Sequence, residues 1–197
     1  MEIGSILDYV NVIRAIESRD KLEASLAELA RPAGYSSGSG GVIRIGSERP
    51  VAPTLVINLL PAEWLGLYRQ RDYHLSDPLL LRARAAMMPF DWQTALDLNP
   101  SPRAAEIFAE RRSFKLLDGL VVPIHLPNGR QGWINFSGEF VDTAPATRSL
   151  LQLAAIATFN RALELSLAPA AAPLLTSRER ECLMWVAAGK TDMSIGD

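Results

Sequence analysis

Cysteine occurs once in this chain, at Cys182, and histidine twice, at His74 and His125. A single cysteine excludes an internal disulfide framework and suits a reducing compartment. The two histidines sit in no metal-spaced cluster and beside no Gly-x-Ser-x-Gly elbow, which leaves little for a metalloenzyme or a serine hydrolase to use. His74 stands close to Ser76 and Asp77, but residues so near in sequence rarely converge into a triad, and His74 is expected in an exposed loop. Gly38-Ser-Gly-Gly41 is too short for a phosphate-binding loop. No apolar run reaches the roughly 18 residues that span a bilayer. The opening Met1-Glu-Ile-Gly-Ser lacks the basic region and cleavage signature of a secretory signal. These absences predict a cytoplasmic protein with no metal, no cofactor and no catalytic residue. Excess positive charge is missing too: 20 basic against 22 acidic residues give −2, not the basic face of a nucleic-acid binder.

Hydrophobic content of 48% with 21% charged residues over 197 positions is enough for one well-buried domain and a small appendage. Ile6, Val10, Ile13 and Ile16 recur at helical spacing, predicting a helix over 5–18. Asp20 and Glu23 have capping-box spacing for a second helix, which carries Leu22, Leu26 and Leu29 and ends at Arg31-Pro-Ala-Gly34. A strand broken by small residues follows over 35–45, where the glycines could admit something close to the backbone. Leu55, Ile57 and Leu59 mark another strand. Pro61 opens a short helix with Trp64 and Tyr68, Asp77-Pro78 a second, and Ser101-Pro102 a third that runs to about Ser113. Strands over 119–125 and 131–137 are joined by Pro127-Asn-Gly129, a good hairpin turn. The apolar residues of a long helix over 144–167 cover more than one stripe, as in a central core helix or a dimer interface. The pattern predicts an α+β fold, an α-β-α sandwich with a mostly antiparallel sheet flanked by helices. A Pro/Ala-rich linker then occupies 168–174.

Residues 175–197 read as the opening of a helix-turn-helix. Thr176 and Glu179 have capping-box spacing, and Leu183, Val186 and Ala187 share a face. Gly189 suits a helix C-terminus and Thr191 could cap the next helix. Arg178, Arg180 and Lys190 are the candidates for phosphate contact. The expectation is an all-α stub that stops short of a second helix and does not bind DNA specifically.

Upstream of this stub stands Trp64-x3-Tyr68-x8-Asp77-Pro78, with Trp92 in Pro89-Phe-Asp-Trp and Gly119 at the head of a strand. Singly, these read as packing and capping: Trp and Tyr four apart on a helix, Asp before Pro, a Trp plugging a core from a loop. In this order, ahead of a helix-turn-helix start, they resemble the autoinducer-binding domain of LuxR-type quorum-sensing regulators. The resemblance spans nearly the whole chain, weakest before Leu55 and densest over 61–137. It implies a 1–167 ligand-binding and dimerising domain, an acyl-homoserine lactone-type signal, and a homodimer or a heterodimer with a full-length relative.

The resemblance also implies roles. The Trp64 indole N–H is donor-only and suits a lactone carbonyl, and the Asp77 carboxylate is acceptor-only and suits an amide N–H. Tyr68 and Trp92 would wall the ring. Substituting Asp77 by Asn is then expected to weaken ligand response and leave packing nearly intact. Two positions depart from the family pattern. Leu60 stands where many members carry a Tyr that donates to the acyl carbonyl, and Asn135 is placed to supply a donor instead. Trp133, if it shares a face with Asn135, would shorten the acyl tunnel and favour a modest chain or an aryl group. A naturally truncated antagonist and a small-molecule hydrolase are the competing readings; turnover of the lactone separates the latter from a receptor.

Overall fold

An open five-stranded antiparallel sheet, ordered β2-β1-β5-β4-β3, divides two layers of helices. Its strands are β1 (Ser37–Arg44), β2 (Thr54–Asn58), β3 (Phe90–Asp91), β4 (Asp118–Leu126) and β5 (Arg130–Gly138). The helices are α1 (Ile3–Arg14), α2 (Arg19–Ala30), α3 (Ala62–Gln70), α4 (Pro78–Ala83), α5 (Trp92–Leu98), α6 (Pro102–Arg112), α7 (Pro145–Ser166) and α8 (Ser177–Ala187). The computed structural model describes residues 3–44, 52–127, 130–166 and 176–187. The chain divides into two compact units, Met1–Ser166 and Leu167–Asp197.

The alternation along the central hairpin creates both layers. Leu120 and Val122 of β4, with Ile134 and Phe136 of β5, face a core closed by α1, α2 and α7. Val121 and Trp133, one residue out of phase, face a second core built from α3 to α6. A period of two along a strand sends neighbours to opposite faces, so two apolar runs supply both cores. The expected sandwich is therefore observed. In α7 the buried side chains run from Leu150 to Ala162, while Leu153 and Ile156 remain 54% and 37% exposed.

Tyr9 and Thr158 tie α1 to α7 through a 2.6 Å hydrogen bond between their hydroxyls. Burial pushes the Tyr9 phenol from 10.0 up to about 12, against the opposing hydrogen bonds of Thr158 and Ser25. Its folded pKa lies above its unfolded one, so its contribution is complete below pH 10 and is lost as pH rises through 12. Over that window unfolding free energy is expected to fall by about 2–3 kcal/mol. Tyr9→Phe should remove this step from a stability–pH profile at a cost of about 1 kcal/mol at neutral pH. An unchanged alkaline profile would show that Tyr9 does not carry it.

Local boundaries differ from the sequence expectation in instructive places. The N-cap of α2 is Ser18, whose hydroxyl accepts from the Lys21 amide, and not Asp20. Glu23 leaves the capping role and binds Arg19 and the backbone N–H of Asn58 on β2. Trp92 opens α5 where a loop was expected. In the second unit Thr176 and Glu179 do form the reciprocal capping box at the start of α8. Arg178 pairs with Glu181, 3.1 Å away on the same helix. The linker over 168–174, the turn residues Asn128 and Gly129, and Gly189, Lys190 and Thr191 lie outside the described residues, as does the Arg180 side chain.

Candidate ligand-binding site

Helices α3 to α6 do not close completely on their face of the sheet. A cavity of about 100 Å³ remains, lined among others by Ser39, Leu60, Trp64, Tyr68, His74, Asp77, Trp92, Arg111, Trp133 and Asn135. Pro61 starts α3, and the four-residue spacing puts Trp64 and Tyr68 on one helical face, their rings 5.7 Å apart edge to face. Tyr73 and Phe114 close around the same indole. Among the described residues nothing accepts from the Trp64 indole N–H.

Asp77 is the polar hub. Its Oδ1 caps α4 by accepting from the Leu79 amide at 3.0 Å. Its Oδ2 accepts from Tyr68 Oη at 2.8 Å and from Arg111 Nη2 at 2.6 Å. The Asp77 and Arg111 side chains are 4% and 5% exposed, so this is a buried ion pair. Burial, then the neighbouring Asp77 charge, holds the Tyr68 phenol well above its ordinary value, with Arg111 opposing. Tyr68 therefore keeps its proton and remains a donor. The Arg111 guanidinium carbon lies 4.8 Å from the Trp92 ring centre, 5.0 Å from Phe108 and 5.6 Å from Trp64.

The opposite wall comes from the sheet. Asn135 and Trp133 both line the cavity from β5. Trp92 Nε1 donates to Asn135 Oδ1 at 2.6 Å, which takes one lone pair of that oxygen and leaves the amide NH2 as a donor. Leu60 contributes only apolar surface.

Seven of the eight residues expected at the site, Leu60, Trp64, Tyr68, Asp77, Trp92, Trp133 and Asn135, thus line one cavity. Gly119 is the exception. It sits behind the wall, where a Cβ would fall 2.5 Å from Trp92 Nε1, so its small size makes room for the indole. The glycines of β1 also serve packing: a Cβ on Gly41 would meet the Trp133 ring at 2.6 Å. From that stretch Ser39, not a glycine, reaches the cavity. His74 is not an exposed loop residue; its side chain is 13% exposed and borders the cavity, with Nδ1 3.9 Å from Asp72.

Arg111 is the site residue that sequence reasoning missed. As the first of two adjacent arginines near a helix end, it reads as solvated. The signal was the spacing Ala104, Ile107, Arg111, which puts residue 111 on the buried face of α6.

A profile of the autoinducer binding domain matches residues 18–162. The transcriptional activator protein BjaR1 of Bradyrhizobium diazoefficiens is 34% identical over 140 residues, which cover 70% of this chain and 57% of that protein. The quorum sensing-dependent transcriptional regulator RpaR of Rhodopseudomonas palustris is 32% identical over 137 residues, 68% of this chain and 56% of the relative. The chain thus spans little more than half the length of these curated relatives. Among solved structures, SdiA in complex with octanoyl-rac-glycerol aligns with a TM-score of 0.78 at 19% identity, over 98% of this chain and 79% of that one. The N-acylhomoserine lactone dependent LuxR family factor CepR2 from Burkholderia cenocepacia aligns with a TM-score of 0.59 at 16% identity, over 83% and 92% of the two chains. At these identities the structural likeness is one of fold.

Proposed function

The chain belongs to the autoinducer-binding domain family of LuxR-type regulators, and from that premise we propose that it is the signal-sensing part of a quorum-sensing transcription regulator. Its signal is an acyl-homoserine lactone-type molecule held in the cavity beneath α3 to α6. The carrying observation is the convergence of Trp64, Asp77 and Asn135 on one apolar cavity. Such a ligand offers a lactone carbonyl, an amide N–H, an acyl carbonyl and an apolar chain. Trp64 N–H faces the first, the remaining Asp77 Oδ1 lone pair the second, and the Asn135 NH2 the third. Asn135 replaces the hydroxyl that Leu60 lacks. Each pairing matters because a polar group left unpaired in a dry cavity costs about 1–3 kcal/mol.

Trp133 and the cavity volume of about 100 Å³ support a short or flat acyl group over a long chain. Leu7 of α1 together with Leu153 and Ile156 of α7 presents apolar surface on the other layer, and a second copy of the chain is its proposed occupant. DNA binding is proposed for the whole regulator. The protein is proposed to act in the cytoplasm and to sense without turning its ligand over.

Ligand that binds only the folded state adds RT ln(1 + [L]/Kd), about 2.7 kcal/mol at a hundredfold excess over Kd. Thermal unfolding of the chain with N-butanoyl to N-octanoyl homoserine lactone should therefore show a concentration-dependent rise in Tm, with the lactone recovered intact. An indifferent Tm across the series would defeat the autoinducer reading, and consumption of the lactone would favour a hydrolase.

A further inference from the structure

Arg111 has no part in the pairing scheme above, yet it borders the cavity and is 4% exposed. One nitrogen of its fork, Nη2, binds Asp77, while Nη1 is buried and has no hydrogen-bond partner among the described residues. A buried donor without a partner is costly, more so on a charged group, and native proteins rarely retain one without a use. The guanidinium lies between Asp77 and the indoles of Trp64 and Trp92, at the polar end of the cavity.

We propose that Arg111 is a ligand-contacting residue that sets headgroup specificity, its Nη1 donating to an oxygen of an uncharged, carbonyl-bearing head seated beside Asp77 and Trp64. The proposal rests on the reading of this cavity as the autoinducer site and narrows its ligand class. Trp64 N–H, Arg111 Nη1 and the Asn135 NH2 are donors there, beside the Ser39 hydroxyl, which can give or take. On the acceptor side Asp77 Oδ2 already takes two hydrogen bonds and Oδ1 one. The complementary head is therefore richer in acceptors than in donors. It is also neutral. Arg111 and Asp77 cancel each other's charge 2.6 Å apart, so a carboxylate would bring an uncompensated charge into a dry site. Arg69 borders the cavity as well, but it is exposed and its charge is solvated.

Binding constants on the purified chain test this with three probes: N-hexanoyl homoserine lactone, its ring-opened carboxylate, and the analogue with a methylene in place of the lactone carbonyl. The wild-type protein should prefer the lactone to either analogue by about tenfold or more, since a site built to pair an oxygen strongly rejects its absence. Arg111→Lys keeps a cation for Asp77 but loses the second arm of the fork. Its preference for the lactone over the methylene analogue should fall at least about threefold, with the Tm of the ligand-free protein within a few degrees of wild type. Lactone binding that shows no preference over the ring-opened acid in the wild-type protein would overturn the proposal without any substitution. So would Arg111→Lys retaining the full preference over the methylene analogue. In both cases the receptor reading stands. A folded wild-type chain that binds none of the probes would instead remove the receptor reading, and this proposal with it.

Discussion

Replacing Asp77 by alanine is expected to lower the free energy of unfolding by about 3–5 kcal/mol, the cost of stranding one member of a buried ion pair. Three losses coincide. Arg111 keeps its burial but loses its carboxylate, Tyr68 loses its acceptor, and α4 loses the side-chain cap on Leu79. A domain of ordinary stability holds about 5–15 kcal/mol in all, so this single change reaches a large share of it. Equilibrium unfolding in urea, read as a shift in midpoint at constant m-value, measures it. The paired substitution Asp77→Ala with Arg111→Met should be clearly less damaging than the sum of the two single changes, because the second removes the charge that the first strands. An Asp77→Ala loss below about 1 kcal/mol would show that the pair is not buried as described. The same geometry revises the sequence expectation for Asp77→Asn. Asparagine can accept from Leu79 but cannot neutralise Arg111, so that change destabilises the fold as well as the ligand contact.

Gly119→Ala is expected to cost about 3 kcal/mol and to abolish ligand binding, although residue 119 does not touch the cavity. The added Cβ would meet the Phe136 carbonyl oxygen and would lie 2.5 Å and 2.6 Å from Nε1 and Cε2 of Trp92. The first neighbour is backbone held within the β4–β5 ladder and cannot turn away. The second can move only by surrendering its hydrogen bond to Asn135, which then loses the partner that orients its amide. Urea unfolding and the ligand-induced Tm rise should therefore fail together. An alanine variant with normal stability and normal ligand response would contradict the packing described at this position.

Much of this site could be read from the chain because its members announce themselves locally. Pro61 with Trp64 and Tyr68 at a four-residue interval fixes one helical face, and Asp77 before Pro78 fixes a cap. The β4–β5 hairpin is legible from two strand-like runs flanking Pro127-Asn-Gly129, and the period of two along a strand then puts Trp133 and Asn135 on one face. Elements whose reason is tertiary stay hidden. A two-residue strand such as Phe90–Asp91 has no period to detect, and α5 begins at an indole that local propensity leaves undecided. Arg111 is the clearest case. Helical spacing places residue 111 on the buried face of α6, but its partner lies 34 positions away and nothing local says that it meets Asp77. Glu23 illustrates the same limit, since the N–H it binds belongs to a strand 35 residues further on.

The crowding of indoles around the cavity also has an optical consequence. The chain has four tryptophans, and Trp64, Trp92 and Trp133 all border the same enclosed space, while Trp185 belongs to α8. Most of the light this protein absorbs near 295 nm is thus captured within a few ångströms of the cavity. Intrinsic emission is therefore expected to follow what enters the cavity more than the fold at large, a readout that needs no attached dye.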